Sequence, residues 1–320
     1  MDKNKKSGLI VLIIIIAITV LSCILNAVRE SPNNRTMPRS NDTNETIVKA
    51  RKNGYIAALH IEGIISNANA TYNQEWILNT IARLKNDKRN RGIALFLDTP
   101  GGAIYETDEV YLALQDYKTT DRPVYAYQAE MAASGGYYIS CAANKIYANR
   151  NTLTGAIGVI CGASVDMTGL MESLGIKTKT FHSGRNKTML SYNEPLTNEQ
   201  QEIMQGISDE CYEQFISIVA SCRNIPMDTV KHIADGRIYT AKQALSNGLI
   251  DAIDSWENML LAMENDCFEG NFLEVVELKY ENSAFFHGFF GELLFGKDTI
   301  SSIDKTLSKA TLRYPAFIYE

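Results

Sequence analysis

The stretch Ala132-Ala133-Ser134-Gly135-Gly136 sets one serine among small residues, an arrangement suited to covalent chemistry at an acyl carbon. A β-type run ends just before it and Tyr137-Tyr138-Ile139 opens a helical pattern just after it, so Ser134 falls at a strand-to-helix turn. Small neighbours leave space for a substrate carbonyl, and a helix N-terminus adds backbone donors and a dipole that favours negative charge. The same position suits a plain N-cap serine with no chemistry. The residues alone leave both readings open.

A nucleophilic serine needs a base, and histidine is the commonest. His60 lies inside an apolar β-type run, His232 on an amphipathic helical stretch and His287 in the aromatic cluster FFHGFF, all structural settings. His182, ending KTKTFH, is a competitor. Directly after it, Ser183-Gly184-Arg185-Asn186-Lys187-Thr188 forms a polar turn leaving a strand pattern, where α/β folds carry functional groups. A lysine serves as a base where burial lowers its pKa from about 10.4 toward neutrality, whereas a loop lysine in water is a solvated charge. A third stretch, Asp98-Thr99-Pro100-Gly101-Gly102, follows an apolar strand and precedes a helix. Its glycines let backbone N–H groups hold an oxyanion, although glycine pairs are also ordinary turn punctuation.

The elements that must position these residues alternate in type. From Tyr55 the sequence reads YIAALHIEGII, a helix around Trp76–Lys85, GIALFLD, a helix around Ile104–Tyr117, and PVYAYQ. IYAN, the Gly-rich TLTGAIGVIC, a helix near Met167–Leu174, a strand KTKTFH and a long helix from about Thr197 to Cys222 follow. The long helix carries a stripe at Ile203, Ile207, Cys211, Phe215, Ile218 and Cys222. GRIYTAKQALSNGLID reads as strand, Thr-capped helix and strand. Such alternation predicts an α/β layered fold with a largely parallel sheet.

With 45% hydrophobic and 21% charged residues, the 320-residue chain has ample material for a core. A net charge of −6 without a long basic run excludes a nucleic-acid footprint. The six cysteines form no CxxC pair, so neither a zinc site nor a redox motif is signalled, and spacing assigns no disulfide; most read as small core residues.

Residues 1–7 carry three lysines and residues 8–28 are apolar over a length that crosses a hydrocarbon core, predicting a single transmembrane anchor with a cytoplasmic N-terminus. A cleaved signal peptide fits less well, because the apolar run exceeds the usual one and no A-x-A site closes it. Lipidation at Cys23 fits least. Residues 29–54 read as a polar tether, 55–268 as the folded domain and 269–320 as a less regular C-terminal segment, whose aromatic cluster suits a packing or subunit surface.

PGG, MAASGGYYIS, TLTGAIGV, SGRNKT and DGRIYTAKQALSNGLID occur in the order and approximate spacing of the signal peptide peptidase A family, which the chain resembles from about Ile56 to Asp254. The likeness is to the short, membrane-anchored bacterial form. It implies the Clp-protease and crotonase-like α/β spiral of βαβ units. It also implies Ser134 as nucleophile, Lys187 as general base, and an oxyanion hole from Gly102 and Gly135, with Gly101 as the alternative donor. No metal or organic cofactor is implied. The resemblance further implies a ring-like homo-oligomer at the bacterial cell membrane, with the catalytic domain extracytoplasmic, cleaving peptides such as remnants of signal peptides. One departure stands out: Ala156 occupies a position where many members of the family carry a serine near the lysine, and Thr154 is the substitute candidate for supporting it.

Two other readings accompany this one. Ala156 and the anchor suit a catalytically silent membrane scaffold. A crotonase-like acyl-CoA enzyme would instead use a carboxylate, for which Asp98 and Glu130 are available.

Overall fold

A computed structural model of the protein describes residues 54–281 and the backbone of residues 316–318. The predicted anchor at 8–28, the tether, Cys23 and the FFHGFF cluster lie outside the described residues.

Strands β1 (Tyr55–Glu62), β2 (Asn90–Thr99) and β4 (Val124–Ala133) run parallel at the centre of an eight-stranded sheet. Their near-continuous apolar runs follow from burial on both faces. Helix α1 (Gln74–Asn86) links β1 to β2, capped by Asn73, whose side chain accepts from the Trp76 N–H. It buries Ile77, Ile81 and Leu84, the three-and-four spacing that predicts it. Helix α2 (Ile104–Lys118) links β2, through the short β3 (Gly101–Ala103), to β4 and buries Val110, Leu114 and Tyr117.

The sheet divides along β4. Its first half pairs with β5 (Lys145–Ala148) and its last three residues with β6 (Leu153–Gly155). Between these halves the pairing to β2 jumps from Leu97–Gln128 to Thr99–Ala132. Backbone groups freed by the jump find partners: Asp98 Oδ1 accepts from the Met131 N–H at 3.1 Å, and the Thr152 hydroxyl lies within bonding distance of the Gln128 and Ala129 carbonyls. Asp98 therefore holds the bend that leads to Ser134.

Three helices, α3 (Gly135–Ser140), α4 (Thr168–Ser173) and the long α5 (Asn198–Arg223), come next. They are followed by α6 (Met227–Ile233), β7 (Ile238–Thr240), α7 (Ala241–Ser246), β8 (Ala252–Ile253) and α8 (Trp256–Phe268). A capping box of Thr197 and Gln200 starts α5, and one of Thr240 and Gln243 starts α7. The sheet also takes a strand beyond residue 268: β9 (Glu274–Leu278) runs parallel to β1.

Two expectations fail. KTKTFH forms no strand; residues 177–182 are exposed and pair with no strand of the sheet, and β propensity without a paired, half-buried surface does not make one. Of the expected stripe on α5 only Phe215 is buried, with Ile203, Cys211, Ile218 and Cys222 half-buried and Ile207 39% exposed; the buried face runs instead through Phe215, Ile216 and Val219. Residues 163–185 are almost wholly exposed, Phe181 and Leu174 among them, and this arm precedes the turn that holds Lys187.

Candidate active site

Ser134 precedes the first turn of α3, but its side chain makes no capping bond. Its backbone sits at φ 52°, ψ −114°, a conformation that glycine adopts readily and that costs a residue with a Cβ of order 1–3 kcal/mol. A plain N-cap serine has extended backbone and a bonded hydroxyl. Ser134 has neither, so the capping account of this residue fails. Its backbone is held on both sides: the N–H donates to Gly155 O at 2.8 Å and the carbonyl accepts from Tyr138 N at 2.9 Å.

Tyrosines anchor the turn. The Tyr137 hydroxyl donates to Leu249 O at 2.8 Å and the Tyr138 hydroxyl to Asp108 Oδ1 at 2.6 Å, while Gln214 Nε2 on α5 donates to the Tyr138 oxygen. Burial first, and the Asp108 bond with it, push the Tyr138 phenol well above its ordinary value, so it stays protonated as a donor. Tyr138 also packs on Tyr111 and Phe215, with ring centroids 5.4 and 5.0 Å away.

The glycine turn lies directly against this helix start. A Cβ placed on Gly135 would meet Thr107 Oγ1 at 2.7 Å and the Gly102 nitrogen at 3.3 Å. The two glycines differ in what their N–H groups can do. The Gly101 N–H is spent on Thr99 Oγ1 at 3.0 Å. Gly101 O and the Ala103 N–H both bond Ile65, so alternation along the strand turns the Gly102 N–H to the opposite edge. That edge is occupied by a piece of the chain itself: β10 (Ala316–Ile318) pairs antiparallel with Gly101–Ala103, Phe317 opposite Gly102.

The structure brings Ser134, Gly135, Gly102 and Thr107 together. Lys187 is exposed, its backbone N–H donates to Gly184 O at 3.1 Å, and no hydrogen bond joins it to Ser134. Thr154 is fully buried, with its hydroxyl bonded to Ala132 O at 2.8 Å, and Ala156 is buried at φ 48° with its N–H on Arg237 O.

No histidine among the described residues approaches Ser134 by a bond. His182 is exposed and bonds Gly184 O, His232 is exposed on α6, and His60 is engaged by Glu62 and Glu277. Of the two carboxylates, Asp98 holds the β4 bend and Glu130 is exposed. Ala132 and Ala133 are fully buried, in register with Thr154 and Gly155. Thr107 was not legible from sequence. Its buried hydroxyl has no hydrogen-bond partner among the described residues, and nothing in its spacing from the PGG turn signals that it would face Gly135.

Residues 116–267 match peptidase family S49. The chain is 32% identical over 292 residues to a protein assigned as signal peptide peptidase SppA in Enterococcus faecium, covering 87% of this chain and 82% of that one. It is 34% identical over 203 residues to a protein assigned as a protease in Synechocystis sp., covering 63% and 71% of the two chains. A protease assignment from Methanocaldococcus jannaschii is 29% identical, covering 73% and 78%. The mixed α/β sheet flanked by helices, with a strained serine at a helix start, fits a peptidase of this kind. The chain belongs to peptidase family S49, the signal peptide peptidase A family.

Proposed function

We propose that the protein is a membrane-bound serine endopeptidase in which Ser134 attacks the peptide carbonyl and Lys187 is the general base. The observation that carries this reading is Ser134 itself: a non-glycine residue held at φ 52°, its hydroxyl uncapped, at a helix start packed against Gly102. Strain of this kind persists where the surrounding structure enforces it and a site uses it.

In the reaction, Ser134 Oγ bonds to the scissile carbon as its proton passes to the lysine Nζ. The carbonyl oxygen becomes an oxyanion that accepts from the N–H groups of Gly135 and Gly102, Gly101 being already engaged. The C–N bond then breaks, the amine leaves with the proton from Nζ, and water hydrolyses the acyl-serine by the same proton route in reverse. The antiparallel pairing of Ala316–Ile318 on β3 supports the path of the substrate, since an extended peptide laid on that edge would pass its carbonyl by Gly102.

Lys187, exposed in the single chain, reaches a serine in this reading through assembly. The arm before it exposes Val165, Leu170, Leu174, Ile176 and Phe181, a surface that a ring of copies would cover. Each arm would then deliver Lys187 to the Ser134 of a neighbouring copy, with Thr154 accepting from its ammonium. The βαβ succession β1–α1–β2 and β2–α2–β4 supports a Clp-protease and crotonase-like spiral. The anchor at 8–28 would hold the ring to the bacterial membrane with the catalytic domain outside, on apolar peptides such as signal-peptide remnants. No metal or cofactor enters the reaction.

The exposure of Lys187 favours one second reading, a catalytically silent scaffold. One experiment separates them. Full-length protein in detergent is assayed on apolar peptides alongside Ser134→Ala, Lys187→Ala and a co-assembled mixture of the two variants. Cleavage by wild type, loss in each variant and partial recovery in the mixture are expected. Wild type without cleavage would leave the scaffold, and full activity in Lys187→Ala would end the dyad.

A further inference from the structure

Half-buried cations of this domain pair with carboxylates, as Lys85 does with Asp116, Lys145 with Asp266 and Arg223 with Asp251. One cleft departs from this. It encloses about 640 Å³ and is lined by Lys88, Arg91, Lys118 and Arg122 against a single carboxylate, the exposed Asp121. Among the described residues no carboxylate pairs with any of the four. The cleft opens at the end of the sheet where β2 and β4 begin, beside Asn90 and Pro123. Ser134 follows the other end of β4, so the length of that strand, about 30 Å, separates the two.

Arg122 is explained by the helix beside it. Its guanidinium donates to Leu84 O and Asp87 O at 2.9 Å and to Asn90 O at 3.1 Å, so it ties down the C-terminal end of α1 and brings the cleft charge while its donors serve the backbone. The other three have no such account. Lys118, the last residue of α2, is half-buried, and its ammonium makes one bond among the described residues, to Ala142 O at 3.0 Å, leaving two donors. Burial holds its pKa below the ordinary lysine value, as befits a cation without a compensating anion. The side chains of Lys88 and Arg91 are exposed and bond nothing among the described residues. Asn144 adds a neutral donor to the lining: its Oδ1 accepts from the Val124 N–H at 2.9 Å, and its Nδ2 has no partner among the described residues.

We propose that this cleft binds the phosphate group of a phosphate ester, held by Lys118 Nζ, Asn144 Nδ2, Lys88 and Arg91. A phosphate offers several acceptor oxygens to separate donors, which suits a wall of spaced cations better than the two oxygens of a carboxylate do. The cleft is larger than a phosphate, and Pro123 and Phe268 line it as well, so the organic part of the ester has an apolar surface to lie on. An anionic lipid headgroup and a free phosphate ester share this chemistry. A Cβ on Gly54, where the described domain begins, would meet Arg91 Cγ at 2.7 Å, so the chain enters the domain beside the cleft. The anchor proposed above would bring headgroups within reach of that point; the lipid source rests on that reading, and the phosphate site does not.

The site is independent of the Ser134 and Lys187 assignments, and its test reads binding rather than cleavage. Full-length protein in detergent is titrated by calorimetry with glycerol 3-phosphate and with dihexanoylphosphatidylglycerol, at an ionic strength matched by chloride in the control. Saturable binding of an ester beyond the chloride control is expected, and the tighter of the two esters identifies the source as free or lipid. Lys118→Met keeps the stem, removes the charge and should weaken binding about tenfold, the worth of one charge-assisted bond. Asp121→Asn removes the opposing carboxylate and should tighten binding about threefold. Melts of the unliganded proteins check folding; if Lys118→Met does not fold, Lys88→Gln and Arg91→Gln, on exposed side chains, carry the same test with weaker binding expected. Absence of saturable binding to wild type, or binding that none of these charge changes moves, overturns the site.

Discussion

The nitrogen of Gly102 lies 3.3 Å from where a Cβ on Gly135 would sit, so the glycine turn after β2 and the serine turn after β4 meet with no side chain between them. That contact makes one pocket of two segments more than thirty residues apart. Gly135→Ala should abolish cleavage while the protein still folds, because a methyl group there pushes against Thr107 and the Gly102 nitrogen. Gly102→Ala should do more, since its methyl would fall 1.9 Å from Ile65 O. Circular dichroism melts beside peptidase assays check both; an active Gly135→Ala protein would argue against Gly102 and Gly135 as paired donors.

Strain at Ser134 predicts an inverse relation between stability and function. Ser134→Gly relieves a conformation that costs a Cβ-bearing residue of order 1–3 kcal/mol, and should raise the stability of the fold while removing the nucleophile. Ser134→Ala keeps the strain and should match wild type in denaturant. Urea midpoints for the three proteins measure the difference, and a Ser134→Gly protein no more stable than Ser134→Ala would show that the turn is relaxed.

His60 on β1 ties the sheet edge by bonds to Glu277 on β9 and to Glu62, and Glu62 also pairs with Lys279. Burial lowers the affinity of His60 for a proton, but the two carboxylates outweigh it and hold its pKa above the ordinary 6.5. Its contribution is complete below about 6.5 and lost as pH rises through the elevated value. Glu62, held down to about 2 chiefly by its bond to His60, contributes fully above its ordinary 4.5 and loses this as pH falls toward 2. Stability of wild type should therefore decline on the alkaline side of pH 6.5, and His60→Gln should flatten that decline. Identical profiles for the two proteins would exclude His60 as the source.

The pairing of Ala316–Ile318 with β3 predicts that the chain's own C-terminus competes with substrate. Truncation after residue 310 should raise kcat/KM mainly through a lower KM. A synthetic peptide of residues 311–320 should inhibit the truncated protein competitively. Unchanged kinetics after truncation would mean that β3 is free in solution.

Much of this protein is decided locally. The strand-to-helix turns at Gly101-Gly102 and at Ser134-Gly135, the stripe Ile77-Ile81-Leu84, and the capping boxes at Thr197 and Thr240 follow from propensity, periodicity and the special backbone freedom of glycine, all interactions spanning a few residues. Family membership was legible for the same reason, because short segments in order survive as sequence.

What the fold alone decided are meetings between distant segments. By sequence Asp98 is an available carboxylate, and only the bend in β4, which leaves the Met131 N–H to be bonded, gives it a structural partner. KTKTFH has strand composition, yet a strand exists only where it is paired. Ser134 and Lys187, neighbours in any motif-based reading, are not bonded in the single chain, since one is packed in the sheet layer and the other sits on an exposed turn. Composition and spacing specify what each residue can do; only long-range packing, which no local pattern encodes, specifies what it touches.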